Sequence, residues 1–388
     1  MKEQGKALCA AVENRADELF AVACDIFDHP ETGRQEYYAC KTLEDYLKTQ
    51  GFEIEHGIAG LDTAFKGTFE RGQGGPTIGF MVEYDALKNV DHACGHHLQG
   101  PAGIGAALAL RDVSDKAVKL VIYGTPDEEG SGGKIDMAQA GVFNDADLVF
   151  AYHSGSSTGI SWENLALQGY SITFHGKKAH AAGAPYKGRS ALDAALLMFH
   201  ALEMMREHCT EGTRIHYTIS EGTGPSNVVP DTCKVAVTLR NTNSRYLADM
   251  KERFADIIKG ACLMTGTGVD VTMRKQYDSL LSLETPRREM LSVMEELGCE
   301  NINYSHPAGR GSTDVGNVSW VAPTIYFHTY YTKAPAHTEE YAADGKKPCA
   351  RRSMVTASQI AGLTALKCLN EPDYLAAIKA EYQEKIAE

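Results

Sequence analysis

The chain has 388 residues, 43% of them hydrophobic, with 51 acidic and 38 basic side chains and a net charge of −13. That length favours two domains over a single core, and the composition is that of a globular protein. No basic stripe points to nucleic acid as a partner, and no apolar run approaches the length of a membrane span.

The N-terminus, Met1-Lys-Glu-Gln-Gly-Lys6, leads into an amphipathic segment carrying Glu13, Asp17 and Glu18. It lacks an apolar h-region and a small-residue cleavage site, so no signal peptide is expected. Helical periodicity runs over residues 5–28 and stops before His29-Pro30, and a second helix over 37–50 is closed by Gly51. Residues 52–58, 63–69 and 77–82 read as strands. The last, Thr77-Ile-Gly-Phe-Met-Val82, has few polar breaks and reads as a buried strand. Then comes Glu83-Tyr-Asp-Ala-Leu-Lys-Asn-Val-Asp-His-Ala-Cys-Gly-His-His97, followed by an Ala/Gly/Leu-rich helix over 98–110. This is a loop at the carboxyl end of a strand, where open α/β sheets bind ligands. Cys94 and His96 have the spacing to reach one ion. Alone, Cys-x-His also fits a solvated loop with a structural cysteine.

Two more buried strands follow. Residues 119–123 run into Gly124-Thr-Pro-Asp-Glu-Glu-Gly130, and 148–152 end on His153. Three buried strands thus deliver potential ligands at their carboxyl ends. The pattern then changes. A strand at 170–175, a helix at 190–208, strands at 214–220 and 233–240, a helix at 244–264 and a strand at 268–274 give β-α-β-β-α-β, the ferredoxin-like order. Helix 286–297, a Gly/Ser/Thr loop at 309–317, a buried strand at 323–328 and helix from 349 complete the chain. The ten cysteines stand singly, with no Cys-x-x-Cys pair, as expected of reduced thiols in the cytoplasm.

Adjacent glutamates after a buried strand are costly to bury unpaired. At Glu128-Glu129 a cation would remove that cost, leaving one carboxylate to bind metal and its neighbour to move a proton. A surface acidic turn is the alternative. Taken singly, His153 also reads as a satisfied strand-end residue, His337 as a helix-entry residue with Thr338 as cap, and His180 as a turn histidine.

Eight stretches, in order, carry a resemblance: His29-Pro-Glu-Thr-Gly33, Glu83-Tyr-Asp-Ala-Leu87, His92-Ala-Cys-Gly-His96, Thr125-Pro-Asp-Glu-Glu-Gly130, Gly176-Lys-Lys-Ala-His-Ala181, Ser226-Asn-Val-Val-Pro-Asp231, Gly311-Ser-Thr-Asp-Val-Gly-Asn-Val-Ser319 and Ala336-His-Thr-Glu-Glu340. The chain resembles the dinuclear metallopeptidase and amidohydrolase family of aminoacylase, carboxypeptidase G and succinyl-diaminopimelate desuccinylase. Within it, the chain is most similar to the p-aminobenzoyl-glutamate hydrolase and hippurate hydrolase branch.

The resemblance implies an α/β catalytic domain with a mixed central sheet flanked by helices, in two parts (1–168 and 281–388). An inserted ferredoxin-like α+β lid and dimerisation domain would span 169–280. It implies two divalent ions per subunit, zinc or manganese, held by Cys94, His96, Glu129, His153 and His337, with Cys94 bridging. Glu128 would be the general base. His180 would stabilise the oxyanion in a partner subunit, so a homodimer is implied. Asn227 and Arg240 would hold the substrate's carboxylate, and Asp85 would orient the first metal site. His97 departs from the Asp or Asn more usual in relatives. The expected reaction is hydrolysis of the amide bond of an N-acyl or N-aroyl amino acid, or of a dipeptide, with a free carboxylate. An inactive relative that binds peptide-like ligands, and a Cys94 nucleophile activated by His96, are the alternatives. Against the first stands the presence of both Glu128 and Glu129.

Overall fold

In the computed structural model, which describes residues 2–222, 224–305 and 311–388, two helices come first: α1 (Glu3–Phe27) and α2 (Tyr37–Thr49). Strands β1 (Glu53–His56), β2 (Phe65–Arg71) and β3 (Thr77–Val82) follow, then α3 (Gln99–Val113), β4 (Val118–Gly124), α4 (Gly133–Gln139), β5 (Leu148–Gly155) and β6 (Thr158–Ile160). Next are β7 (Ala166–His175), α5 (Ala191–Arg206), β8 (Arg214–Glu221), β9 (Thr232–Asn241), α6 (Ser244–Thr265) and β10 (Gly268–Met273). The chain ends with α7 (Glu284–Glu296), β11 (Ile302–Asn303), α8 (Val315–Ser319), β12 (Thr324–Tyr330), α9 (Glu339–Ala342), α10 (Pro348–Asn370) and α11 (Pro372–Ala387). Helices α4, α8 and α9 and strands β6 and β11 are too short to leave a periodic signal in the sequence. Of the expected 309–317 loop, residues 309 and 310 lie outside the described residues, and its end forms α8.

The chain divides into two units. One holds the residues up to Glu163 and almost all of those from Leu280 onward; the other is Asn164–Ser279 with a short stretch ending at Ser312. The first unit carries a mixed eight-stranded sheet in the order β1-β2-β4-β3-β5-β12-β6-β11. β3 pairs parallel with both β4 and β5, and β5 parallel with β12. Every residue of β3 is buried, because a central parallel strand is covered on both faces. Ile78, Phe80 and Val82 face one core with Leu120, Ile122, Phe150 and the helices α1, α3 and α10. Met81, Val121, Tyr123, Val149 and Ala151 face the other, with α4 and α8. Helix α2 is fastened at its start by Glu31, whose carboxylate accepts from Tyr38 N (2.9 Å) and Ala39 N (3.1 Å).

The second unit is an antiparallel sheet in the order β10-β7-β9-β8 with α5 and α6 on one face, the ferredoxin-like arrangement. Along β9, Cys233, Val235, Val237 and Leu239 are buried while Lys234 is exposed, the period-two pattern of a half-covered sheet. Ser190 caps α5 by accepting from Asp193 N, and Asn243 caps α6 by accepting from Arg245 N and Tyr246 N. Each cap contributes about 1 kcal/mol. Among the described residues no helix is long and apolar enough to cross a membrane.

Candidate metal centre

Because β4, β3, β5 and β12 run parallel, their carboxyl ends share one edge of the sheet, and four connecting segments meet there. The loop after β3 is pinned to the Glu31–Gly33 segment by Ala86 N donating to Glu31 O at 2.7 Å. Gly95 adopts φ 82°, and a Cβ at this position would fall 2.1 Å from Ser154 Oγ. Only glycine fits both demands, and this turn sets Cys94 and His96 on either side of it. After β4, Asp127 sits at φ 63°, a strained setting for a non-glycine residue. Its N–H donates to Glu36 Oε1 at 2.8 Å and its carboxylate accepts from Arg34 Nε at 2.8 Å. Gly33 packs so closely that a Cβ would lie 2.1 Å from Asp127 Oδ1. Glu128 and Glu129 follow this fixed turn. His153 lies near the carboxyl end of β5. His337, at φ 67°, donates its N–H to Ala93 O at 2.9 Å, tying its segment to the Cys94 loop.

Three three-residue groups able to hold a cation overlap here; one is His96, Glu128 and Glu129, and the other two have Cys94 in common. In Cys94, His96 and His153, and again in Cys94, Glu129 and His337, the potential ligand atoms lie within 4.8 Å of one another. Cys94 Sγ is 3.3 Å from His153 Nε2 and 3.5 Å from His337 Nε2. His337 Nε2 is 3.3 Å from Glu129 Oε1. Each of His96 and His153 commits its Nδ1 to an oxygen: His96 to Asp85 Oδ1 at 3.0 Å, His153 to Ser154 O at 2.6 Å. That orients both Nε2 atoms inward as potential ligands. His96 Nε2 and Glu129 Oε1 are buried and make no hydrogen bond, although Glu83 Oε2 and His337 Nε2 lie 3.3 Å from them, respectively. Orphaned buried ligand atoms beside a thiol fit a divalent cation, which would satisfy them.

Asp85 links the two groups. One carboxylate oxygen takes His96 Nδ1–H, and the other accepts from Glu129 N at 3.0 Å. Burial opposes its charge, yet His96 and the Glu129 N–H hold its pKa below the usual carboxylate range. Behind it lies an arrangement that sequence reasoning missed. Lys134 Nζ, fully buried, sits 2.6 Å from Glu83 Oε1 and 2.7 Å from Asp314 Oδ1. Gln99 Nε2 donates to Glu83 Oε2 at 2.6 Å. Asp314 stands inside the Gly311–Ser319 motif, a hint that the motif held a buried charge, but nothing near Lys134 in sequence marks it.

Burial pushes the Glu128 carboxyl well above its ordinary pKa, reinforced by Glu83 and Asp314. Burial likewise raises the Cys94 thiol, so a cation that binds there must displace a proton. Burial opposes a charge on His96, but Cys94, Asp85 and Glu83 push its pKa well up; the surroundings favour positive charge at this spot. His97 donates Nε2–H to Gly345 O at 3.0 Å and packs edge-on against Phe27, its Nδ1 buried without a partner. It thus serves the α1 side of the loop.

His180, Asn227 and Arg240 belong to the second unit. His180 and Asn227 lie in neighbouring segments joined by Ala181 N donating to Asn227 O at 2.9 Å, and both side chains are exposed. His180 Nδ1 accepts from Ala182 N (3.2 Å) and Gly183 N (3.0 Å), so its ring proton is carried by Nε2, pointing away. Arg240 Nη1 donates to Ser312 Oγ at 3.2 Å, while its Nε is buried with no partner. Among the described residues no carboxylate pairs with this guanidinium.

Residues 163–263 match a family profile described as a peptidase dimerisation domain, M20 type. Over 97% of its length the chain is 31% identical to the Xaa-Arg dipeptidase of Mus musculus, covering 91% of that protein. It is 28% identical to one of the subunits of the p-aminobenzoyl-glutamate hydrolase of Escherichia coli strain K12, covering 99% of this chain and 96% of that one. Its fold matches a solved structure from Bacillus subtilis described as a dinuclear metal binding peptidase from the M20 family, with a TM-score of 0.71, 18% identity, and coverage of 92% of this chain and 99% of the other. A relative this similar over nearly the whole chain, together with the dimerisation domain, places the protein in the M20 family of metal-dependent peptidases and amidohydrolases.

Proposed function

We propose that the chain hydrolyses the amide bond of N-acyl or N-aroyl amino acids, or of dipeptides, whose free α-carboxylate lies next to the scissile bond. The observation that carries this is Cys94 shared between two potential ligand groups, with Glu128 alongside. In this reading Cys94, His96 and His153 hold one divalent ion, and Cys94, Glu129 and His337 the second. When bound, the pair supplies Lewis acidity to the substrate carbonyl and makes a water molecule more acidic. Glu128 takes that water's proton and returns it to the leaving amine nitrogen, the task of a general acid–base carboxylate beside the reacting water. Asp85 keeps His96 and Glu129 in place. A shared thiolate favours zinc, although imidazole and carboxylate also suit manganese.

The substrate's carboxylate meets Arg240, whose guanidinium has no carboxylate of its own, and Asn227; a guanidinium holds a carboxylate bidentately. His180 offers Nε2–H to the oxyanion. In a homodimer built through the second unit, each protomer lends this histidine to the other's centre. The described relatives, a dipeptidase and a hydrolase of an aroyl amino acid, support this substrate class. The ten thiols, all free, agree with a cytoplasmic location.

The test is a panel of dipeptides, Xaa-Arg among them, and N-acyl or N-aroyl amino acids, p-aminobenzoyl-glutamate included. It is run on metal-loaded protein and read by amine release, with elemental analysis in parallel. Turnover that a chelator abolishes, with about two ions per chain, is the expected result. Full activity without stoichiometric metal would overturn it.

A further inference from the structure

The Gly311–Ser319 motif has no part in the reading above, and Lys134 is a fully buried ammonium with no assigned task. Their geometry joins them. Lys134 Nζ reaches Glu83 Oε1 at 2.6 Å and Asp314 Oδ1 at 2.7 Å, and Lys134 N donates to Asp314 Oδ2 at 3.0 Å. The second oxygen of Glu83 takes Gln99 Nε2–H and lies 3.3 Å from His96 Nε2. Carboxylate oxygens of Glu83, Asp314 and Glu128 all lie within 4.8 Å of one another. Three carboxylates so close repel, and one ammonium is shared between two of them. A buried ion pair of this kind rarely improves stability over a well-packed apolar replacement, so its position asks for another reason.

We propose that Lys134 is a positioning residue for Glu128. By clamping Glu83 to Asp314 it fixes the two carboxylates whose repulsion sets where the Glu128 carboxylate lies at the edge of the metal centre. This rests on Glu128 being the general base. Lys134 itself touches neither substrate nor reacting atoms. Without it, Glu83 and Asp314 move apart and the repulsion that sets the place of Glu128 changes, and a displacement of about 1 Å at a reacting group costs on the order of 100-fold in rate.

Two variants separate positioning from plain structural support. Lys134→Met leaves two buried carboxylates unpaired; Lys134→Met/Glu83→Gln/Asp314→Asn leaves no charge to pair. Both are compared with the parent and with Glu128→Gln for kcat, KM, bound metal and thermal midpoint. Lys134→Met is expected to lose both thermal midpoint and kcat. The triple variant should regain most of the midpoint and keep its metal and KM, while kcat stays at least ~10-fold below the parent. The triple variant also keeps the test open should Lys134→Met fail to fold. If its kcat returns along with its midpoint, or if lost metal accounts for the whole fall, the positioning role is overturned. Near-normal turnover in Glu128→Gln would overturn the base assignment and this role together. An inactive Glu128→Gln beside a fully active triple variant would overturn the role of Lys134 alone.

Discussion

Replacing Asp85 by asparagine tests the centre most directly, because one carboxylate serves a residue of each ligand group. Its two oxygens accept from His96 Nδ1 (3.0 Å) and Glu129 N (3.0 Å), and its side chain is fully buried. An amide has one acceptor where both partners need one. If the amide oxygen faces His96, the NH2 confronts the Glu129 N–H, donor against donor. A buried backbone N–H is then left unsatisfied, at about 1–3 kcal/mol. If the amide turns round, it donates to His96 Nδ1, drives the ring proton to Nε2 and blocks the ligating atom. Either way metal affinity falls, by about 10–100-fold as for other residues that orient ligands, or roughly 1.4–2.8 kcal/mol. The assay is titration of metal-free protein with zinc against a competing chelator at neutral pH. Dissociation constants for both ions within about threefold of the parent would refute the claim that Asp85 orients the ligands.

Glu128→Gln should keep bound metal and lose at least ~10²-fold in turnover, as removal of a general base does; a near-normal rate would assign the base elsewhere. Arg240→Lys should lose most of the preference for a free carboxylate over its amide, a difference on the order of 2–5 kcal/mol for a charged hydrogen-bonded pair. Equal kcat/KM for acid and amide in the parent would refute the clamp. Mixing His180→Ala with Glu128→Gln should restore part of the activity, and no recovery despite demonstrated exchange of protomers would mean that each chain works alone. The last prediction concerns pH. Burial pushes the Glu36 carboxyl up to about 7, opposed by its hydrogen bonds from Thr63 Oγ1 and Asp127 N. With the folded pKa above the unfolded one, its contribution is fully present below the ordinary carboxylate range and is lost as pH rises through about 7. That loss is about 3 kcal/mol at most. Glu36→Gln should therefore flatten the fall in thermal midpoint between about pH 5 and about pH 8, and an unchanged slope would remove Glu36 as its source.

Much was legible without coordinates because it is local. Continuous apolar runs such as Thr77–Val82 mark strands covered on both faces, and helical periodicity bounded by His29-Pro30 or Gly51 marks helices. The switch to β-α-β-β-α-β order announces the second unit. Each of these signals depends only on neighbours along the chain. So does the chemistry of the loops, since a cysteine, histidines and paired glutamates after buried strands are already candidate ligands.

Folding decided what is non-local. Strand order put the carboxyl ends of β3, β4, β5 and β12 on one edge, and only then could Cys94 lie near both His153 and His337. Asp85 bridges His96 and Glu129 because two loops from adjacent parallel strands face each other, which no spacing within either loop encodes. Lys134, Glu83 and Asp314 meet only in the folded chain. A lysine in a glycine-rich segment normally reads as solvent-exposed; its burial here is possible because two carboxylates from distant segments meet its charge. The sequence determined which groups the protein carries and on which elements, while pairing across the sheet decided which of them share a low-dielectric interior, where charge, position and unmet hydrogen bonds acquire their force.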